Sequence, residues 1–249
     1  MVKIENYGLR HVQVPNNMCK THELEPFDLY IYATIKRFMN GETREAYPSL
    51  ATLRRVTGCG QERITRSIGR LAGKYFGVYY RGRKRVFVFA RKYRGFEPFS
   101  YEFLDKGDLT PMEKAYIIAA QQFMFKDLGD YGKMSFSARD LSGLINMPEW
   151  EIRRHDRSLV RKGYLSIVQT GGRDFETGLP MREKLFNLGR LGQKLIWLLA
   201  VGTEKIRRNN ERIDRLRKDL QVMKRVVARQ GEEISRLRKP IDVELRVEL

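Results

Sequence analysis

Histidine, cysteine and tryptophan are scarce in this sequence, and acidic residues are few beside basic ones. Two cysteines, Cys19 and Cys59, exclude a disulfide framework and make a reducing cytoplasm the expected setting. Three histidines leave little for a metal centre. Cys19 and His22 have a ligand-like spacing, but only His11 and Cys59 stand as helpers and no second pair completes a tetrahedral set, so no metal is expected. Also absent are a Gly-rich phosphate loop ending in Lys-Ser/Thr, a paired-histidine cluster and a Gly-x-Ser-x-Gly elbow. The chain therefore reads as a non-enzyme, without catalytic residues, cofactor or small-molecule substrate. No membrane contact is expected either. The longest apolar run, 195–201, is a third of a bilayer span, and the first residues lack the apolar core of a secretory signal.

What is abundant is positive charge. Lys and Arg number 48 against 30 Asp and Glu, a net +18 over 249 residues. That length exceeds one ordinary domain and suits two small ones with an appendage, and 42% hydrophobic residues suffice for packed cores. The charge is uneven. Residues 54–94 hold thirteen bases against Glu62 alone, a net +12, and residues 204–239 hold thirteen bases against six acids, a net +7. A basic stripe on an otherwise balanced chain is the electrostatic footprint of a nucleic-acid binder.

Periodicity supplies the elements. Phe27, Ile31, Ile35 and Phe38 predict a helix over 26–40, with Pro26 in its first turn and Gly41 beyond its end. Pro48-Ser49 opens a second helix bearing Leu50, Leu53 and Val56, stopped by Gly58. The third, 61–73, places Ile64, Ile68 and Leu71 on one face and Glu62, Arg63, Arg66 and Arg70 away from it. Runs at 76–81 and 85–91 around Gly82-Arg83-Lys84 read as a β-hairpin with a basic tip. A tight Gly-Cys-Gly turn between two helices, followed by a hairpin, is a helix-turn-helix with a wing.

The order then recurs. Thr110-Pro-Met-Glu113 is a capping box opening a helix to about Lys126. Ser137 caps a short helix with Leu141, Leu144 and Ile145, and Asn146-Met-Pro148 separates it from a third, 149–162. A strand at 163–169, a Gly-rich loop at 170–182 and a return at 184–188 complete a second hairpin. Met18, Met112 and Met124 read as core filler, as does Trp150 taken alone. His155 and Asp156 fall where the first module has apolar residues, so this third helix is expected to pack differently or meet a partner. The fold class expected is mainly α with small β wings: tandem winged helix-turn-helix domains at 1–95 and 96–188, then a long coiled-coil helix over 190–239 and a tail, 240–249.

That last helix carries a seven-residue repeat. Ile206, Ile213, Leu220, Val227 and Ile234 occupy the a positions, and Asn209, Leu216, Met223, Gln230 and Leu237 the d positions. Mostly β-branched a residues favour a parallel homodimer, about 50 Å long at 1.5 Å per residue. Across such a pair Asp219 would face Lys224 and Glu233 would face Arg238, while Arg212 would face Arg217.

Leu29-Tyr-Ile-Tyr-Ala, Tyr47-Pro-Ser-Leu-Ala-Thr-Leu and Thr57-Gly-Cys-Gly-Gln-Glu-Arg-Ile-Thr-Arg-Ser-Ile-Gly-Arg-Leu together resemble the helix-turn-helix domain of phage and plasmid replication initiators and replisome organisers. The lead-in Val12-Gln-Val-Pro-Asn is similar to the segment preceding that domain, and Leu159-Val-Arg-Lys-Gly-Tyr-Leu resembles a helix-to-wing junction of winged-helix regulators. Two such modules are similar to the layout of plasmid Rep initiators. Lys74-Tyr-Phe-Gly departs from the family's Lys-Gly, and a long coil lies outside its usual plan.

The readings for the site follow from base and phosphate chemistry. Gln61, Arg63, Thr65, Arg66 and Arg70, with Lys74, are expected against double-stranded DNA, and Arg81, Arg83, Lys84 and Arg85 along its phosphates. Arg153, Arg154 and Arg157 are the corresponding candidates in the second module, where a solvated face competes with a DNA face. The resemblance implies replication initiation, with recruited replication machinery as partner. A regulator of transcription uses the same contacts, and a coiled-coil scaffold whose winged helices bind protein is the reading from another class.

Overall fold

Proline in a first turn and a carboxylate two residues later start two helices of this chain in the same way. In the computed structural model, Asp28 accepts the backbone N–H of Glu25 at 2.9 Å, and Glu113 accepts that of Thr110 at 2.7 Å. These are α1 (Pro26–Lys36) and α5 (Pro111–Gln121), each the first helix of a run with the same element order. The structure describes residues 10–18, 23–90, 95–125, 132–173, 180–192 and 194–237.

The first run comprises β1 (His11–Pro15), α1, β2 (Glu45–Ala46), α2 (Leu50–Thr57), α3 (Gln61–Leu71), β3 (Phe76–Arg81) and β4 (Lys84–Phe89). The second comprises β5 (Phe96–Ser100), the short α4 (Tyr101–Asp105), α5, β6 (Lys133–Met134), α6 (Ala138–Ile145), α7 (Glu149–Arg161), β7 (Leu165–Arg173) and β8 (Pro180–Phe186). Each hairpin gains a third strand from the loop after the first helix. The antiparallel sheets run β2-β4-β3 and β6-β8-β7. The remaining sheet joins the two runs, β1 lying antiparallel to β5.

Several boundaries differ from the periodic pattern. The helix expected over 26–40 ends at Lys36, because the Phe38 and Met39 amides close on the carbonyls of Ile35 and Lys36 while Asn40 caps the amides of Glu42 and Thr43. Phe38 is consequently exposed. The third helix stops at Leu71, where Ala72 turns extended. α5 ends at Gln121, not near Lys126, which lies outside the described residues. The loop expected over 170–182 is ladder at both ends, since β7 runs to Arg173 and β8 begins at Pro180.

One hydrophobic core runs through both sets of elements, with Val12, Phe27, Tyr32, Phe87, Phe103, Tyr116, Ile152 and Phe186 all buried in it. α1 packs on α5 as well as on its own α3. Residues 1–201 make one compact unit, so the modules expected at 1–95 and 96–188 share a core. Residues 202–249 are a second unit, whose helical part belongs to α8 (Lys194–Leu237). From 209 to 234 every side chain of α8 is exposed, including Ile213, Leu216, Leu220, Met223, Val227 and Ile234. Asn209 and Gln230 lie in the same stretch, while the side chains of Ile206 and Leu237 are outside the described residues, as are Arg238 and the 240–249 tail. No helix among the described residues is long and apolar enough to cross a membrane.

Candidate nucleic-acid interface

Three residues make the turn between α2 and α3. Ser49 caps α2, its Oγ accepting the Thr52 amide at 3.0 Å, and Gly58 ends it with φ +67°, its own N–H reaching the Arg54 carbonyl at 2.8 Å. Buried Thr57 closes the turn from inside: its hydroxyl donates to the Leu53 carbonyl at 2.7 Å and accepts the Cys59 amide at 3.2 Å. Burial pushes the Cys59 thiol up from its ordinary value, so it stays a neutral packing group.

α3 buries Ile64, Ser67, Ile68 and Leu71 and turns Gln61, Glu62, Thr65 and Arg66 to solvent. Arg66 is exposed and pairs only with its neighbour Glu62, at 2.7 Å, an i,i+4 contact that a phosphate or base edge can replace at little cost. Arg63 and Arg70 are placed differently. Arg63 lies flat over the Phe27 ring, 4.1 Å from its centroid, and reaches the Met112 sulfur. Arg70 clamps Asp28 through two hydrogen bonds of 2.8 Å and also meets Glu25 at 3.2 Å. Its Asp28 bonds raise its already high basicity further. Periodicity puts both arginines beyond the apolar face; the structure sets them on the edge that seals α3 against α1. Lys74 pairs with Glu23 at the surface.

The wing separates its bases in the same manner. β3 and β4 pair from Phe76↔Phe89 to Arg81↔Lys84, joined by Gly82 and Arg83, with positive φ at Gly82 alone of the two, the type II′ pattern. Arg83 and Lys84 stand exposed at the tip, and Arg85 stacks on the exposed Tyr80 ring, 5.9 Å from its centroid. Arg81 instead turns back. Its guanidinium meets Glu45 at 3.1 Å and the Tyr47 and Tyr79 hydroxyls at 3.1 and 2.7 Å. The bonds that Glu45 accepts from Tyr47 and Tyr79 hold its carboxyl below the ordinary value.

Two further exposed bases, Arg54 and Arg55, lie on α2 beside the turn. They fall off the Leu50/Leu53/Val56 stripe, and that was the signal available for them in the sequence.

In the second run, Asn146 takes the turn position of Gly58, with φ +50°. α7 buries Ile152, His155, Asp156 and Leu159, and its outward face carries Trp150, Arg154, Arg157 and Arg161. Trp150, expected in the core, is 63% exposed. The mixed signs of this helix sort spatially. Glu149 pairs with Arg153 at the edge, whereas Arg154 and Arg161 have no carboxylate partner among the described residues. Arg157 bonds only the Arg153 carbonyl, at 3.3 Å. Arg161 is the outward cation that the sequence did not single out.

His155 and Asp156 do pack differently from their counterparts. Asp156 accepts the Tyr116 hydroxyl and the Lys184 ammonium, both at 2.7 Å, and His155 stacks on the Tyr116 ring. These groups tie β8 to the helices inside the core. Burial, chiefly, holds the imidazole of His155 below its usual value. No group of metal-ligating side chains occurs among the described residues, and Cys19 and His22 lie outside them.

Comparison with curated proteins finds no match. Residues 22–74, from the approach to α1 through α3, match a family model described as a helix-turn-helix domain. The chain thus contains a helix-turn-helix domain, a fold consistent with DNA binding, in the segment whose turn and outward face are built as described above.

Proposed function

We propose that this is a non-enzymatic, double-stranded DNA-binding protein of the cytoplasm, acting in replication initiation or replisome organisation for a phage or other mobile element. The observation that carries the binding is the sorting of cations. Gln61, Thr65 and Arg66 stand on the outward face of α3, and Arg83 and Lys84 at a wing tip free of acids, while the remaining bases of that region are used internally. A recognition helix offers such side chains to base edges in the major groove, and a wing tip follows phosphates. The second run, with the same element order, is read as a second winged helix whose Arg153, Arg154 and Arg157 add to the grip. The apolar stripe of α8, exposed on a single chain, supports pairing of two chains as a parallel coil. The initiator role rests on the resemblance of the first domain.

Fluorescence anisotropy with a labelled duplex tests the reading. Affinity should fall about 10³-fold or more between 50 and 200 mM salt if six or more phosphates are met. Arg83→Ala should weaken binding to every sequence, and Arg66→Ala should relax the preference among sequences. Salt-independent binding, or both variants behaving as the parent, refutes it. Mapping the bound sites on the source genome separates an origin from scattered promoters, the latter being the mark of a transcriptional regulator.

A further inference from the structure

The two runs are joined through equivalent elements. β1 pairs with β5, the strand that opens the second run, and α1 packs against α5, its own counterpart. The β1–β5 ladder is centred on the pair Gln13↔Pro98. Lys36, the last residue of α1, donates to the Gln13 carbonyl at 2.8 Å; Gln121, the last residue of α5, donates to the Pro98 carbonyl at 3.2 Å. The capping carboxylates are matched as well, Asp28 held by Arg70 and Glu113 by Lys162. When like meets like in both strand and helix, the operation relating the halves is an approximate two-fold rotation.

Contacts across that axis place the turns. Arg63, in the first turn of α3, reaches Met112 at the start of α5, and Asn146, in the turn before α7, donates to the Leu24 carbonyl just ahead of α1, at 3.3 Å. Both helix–turn–helix corners thus lie at the N-terminal ends of the α1/α5 pair. One chain presents two recognition-type helices in the relation that two subunits give a helix-turn-helix dimer, and a two-fold reader matches DNA whose half-sites are inverted.

Their outward residues differ. Aligned on the buried Ile64 and Ile152, the first turns read Gln-Glu-Arg-Ile-Thr-Arg and Glu-Trp-Glu-Ile-Arg-Arg. We propose that a single chain reads a pseudo-palindromic duplex, α3 on one half and α7 on the other, the halves inverted and unlike in sequence. This deepens the DNA-binding reading and rests on it.

The test is selection from a pool of random 40-base-pair duplexes by the full-length chain carrying Leu220→Asp and Val227→Asp, both exposed on α8, so that pairing of chains adds no symmetry. The enriched motif should have two unlike halves, and Arg154→Ala with Arg157→Ala should erase one half while leaving the other. Glu149→Gln, Trp150→Glu and Arg153→Thr, all outside the core, give α7 the first-turn face of α3 and should convert the motif into an inverted repeat of the α3 half. A single half-site, a direct repeat after the conversion, or a motif indifferent to the α7 substitutions overturns the proposal with DNA binding intact. An unenriched pool removes the DNA-binding reading and the proposal together.

Discussion

Arg66 and Arg70 occupy the same helix, four residues apart, and do different work. Asp28 is fully buried and Arg70 is its main cation, so Arg70→Ala should lower the unfolding free energy by about 3 kcal/mol, because an unpaired buried carboxylate remains. Urea unfolding checks this, with Arg66→Ala expected to stay within about 0.5 kcal/mol of the parent, as for an exposed i,i+4 pair. Sequence periodicity places both arginines on the polar side of α3. It cannot tell the outer face from the edge, since Asp28 sits 42 residues earlier. The matching carboxylate in the second run carries a pH signature. Burial raises the pKa of Glu113, but hydrogen bonds from Lys162, Ser158 and Thr110 outweigh it and hold the group at about 2, against 4.5 when unfolded. A depressed carboxylate stabilises fully above its unfolded value and loses that contribution as the proton binds. Stability should therefore fall between pH 4.5 and pH 2, and the urea midpoint of Glu113→Gln should vary less with pH across that window than the parent's.

At the scale of elements, the corner between α2 and α3 is the feature most completely legible in the sequence. Ser49, Gly58 and Gly60 announce it, and the structure places a cap, a left-handed stop and a helix start at those positions. A Cβ at Gly58 would meet nothing within 4 Å, so Gly58→Ala should cost about 1–2 kcal/mol through backbone conformation alone. Gly69 is the useful contrast. It is helical and equally open, so Gly69→Ala should stabilise by about 1 kcal/mol; thermal melts of the two variants should move in opposite directions. The strands β2 and β6 were not legible, since two residues carry no period. β1 has the alternation of a strand, yet its partner begins at Phe96, across a whole winged unit. The overlong α1 and α5 predictions share one cause: apolar residues after the last turn kept the helical spacing while the backbone closed into a tighter turn.

For the whole molecule, the heptads of α8 make a prediction independent of DNA. Leu220→Asp with Val227→Asp puts charge into an apolar seam, and light scattering should report a monomer where the parent is a dimer; equal masses would dispose of the coil as the pairing element. The same charge count that marked 54–94 as a nucleic-acid footprint could not locate the uncommitted cations, some of which lie on α7, a helix of mixed sign. Local physics was enough to determine the helices, the corner, the hairpins, the repeat of their order and the heptads, because caps, turn glycines and periodicity act over a few residues. Tertiary structure decided which arginines are spent on buried carboxylates, that Trp150 faces solvent, and that β1 and β5 join the two runs about an approximate two-fold. Those outcomes depend on contacts between residues far apart in the chain, where burial sets the cost of leaving a charge or a backbone group unpaired.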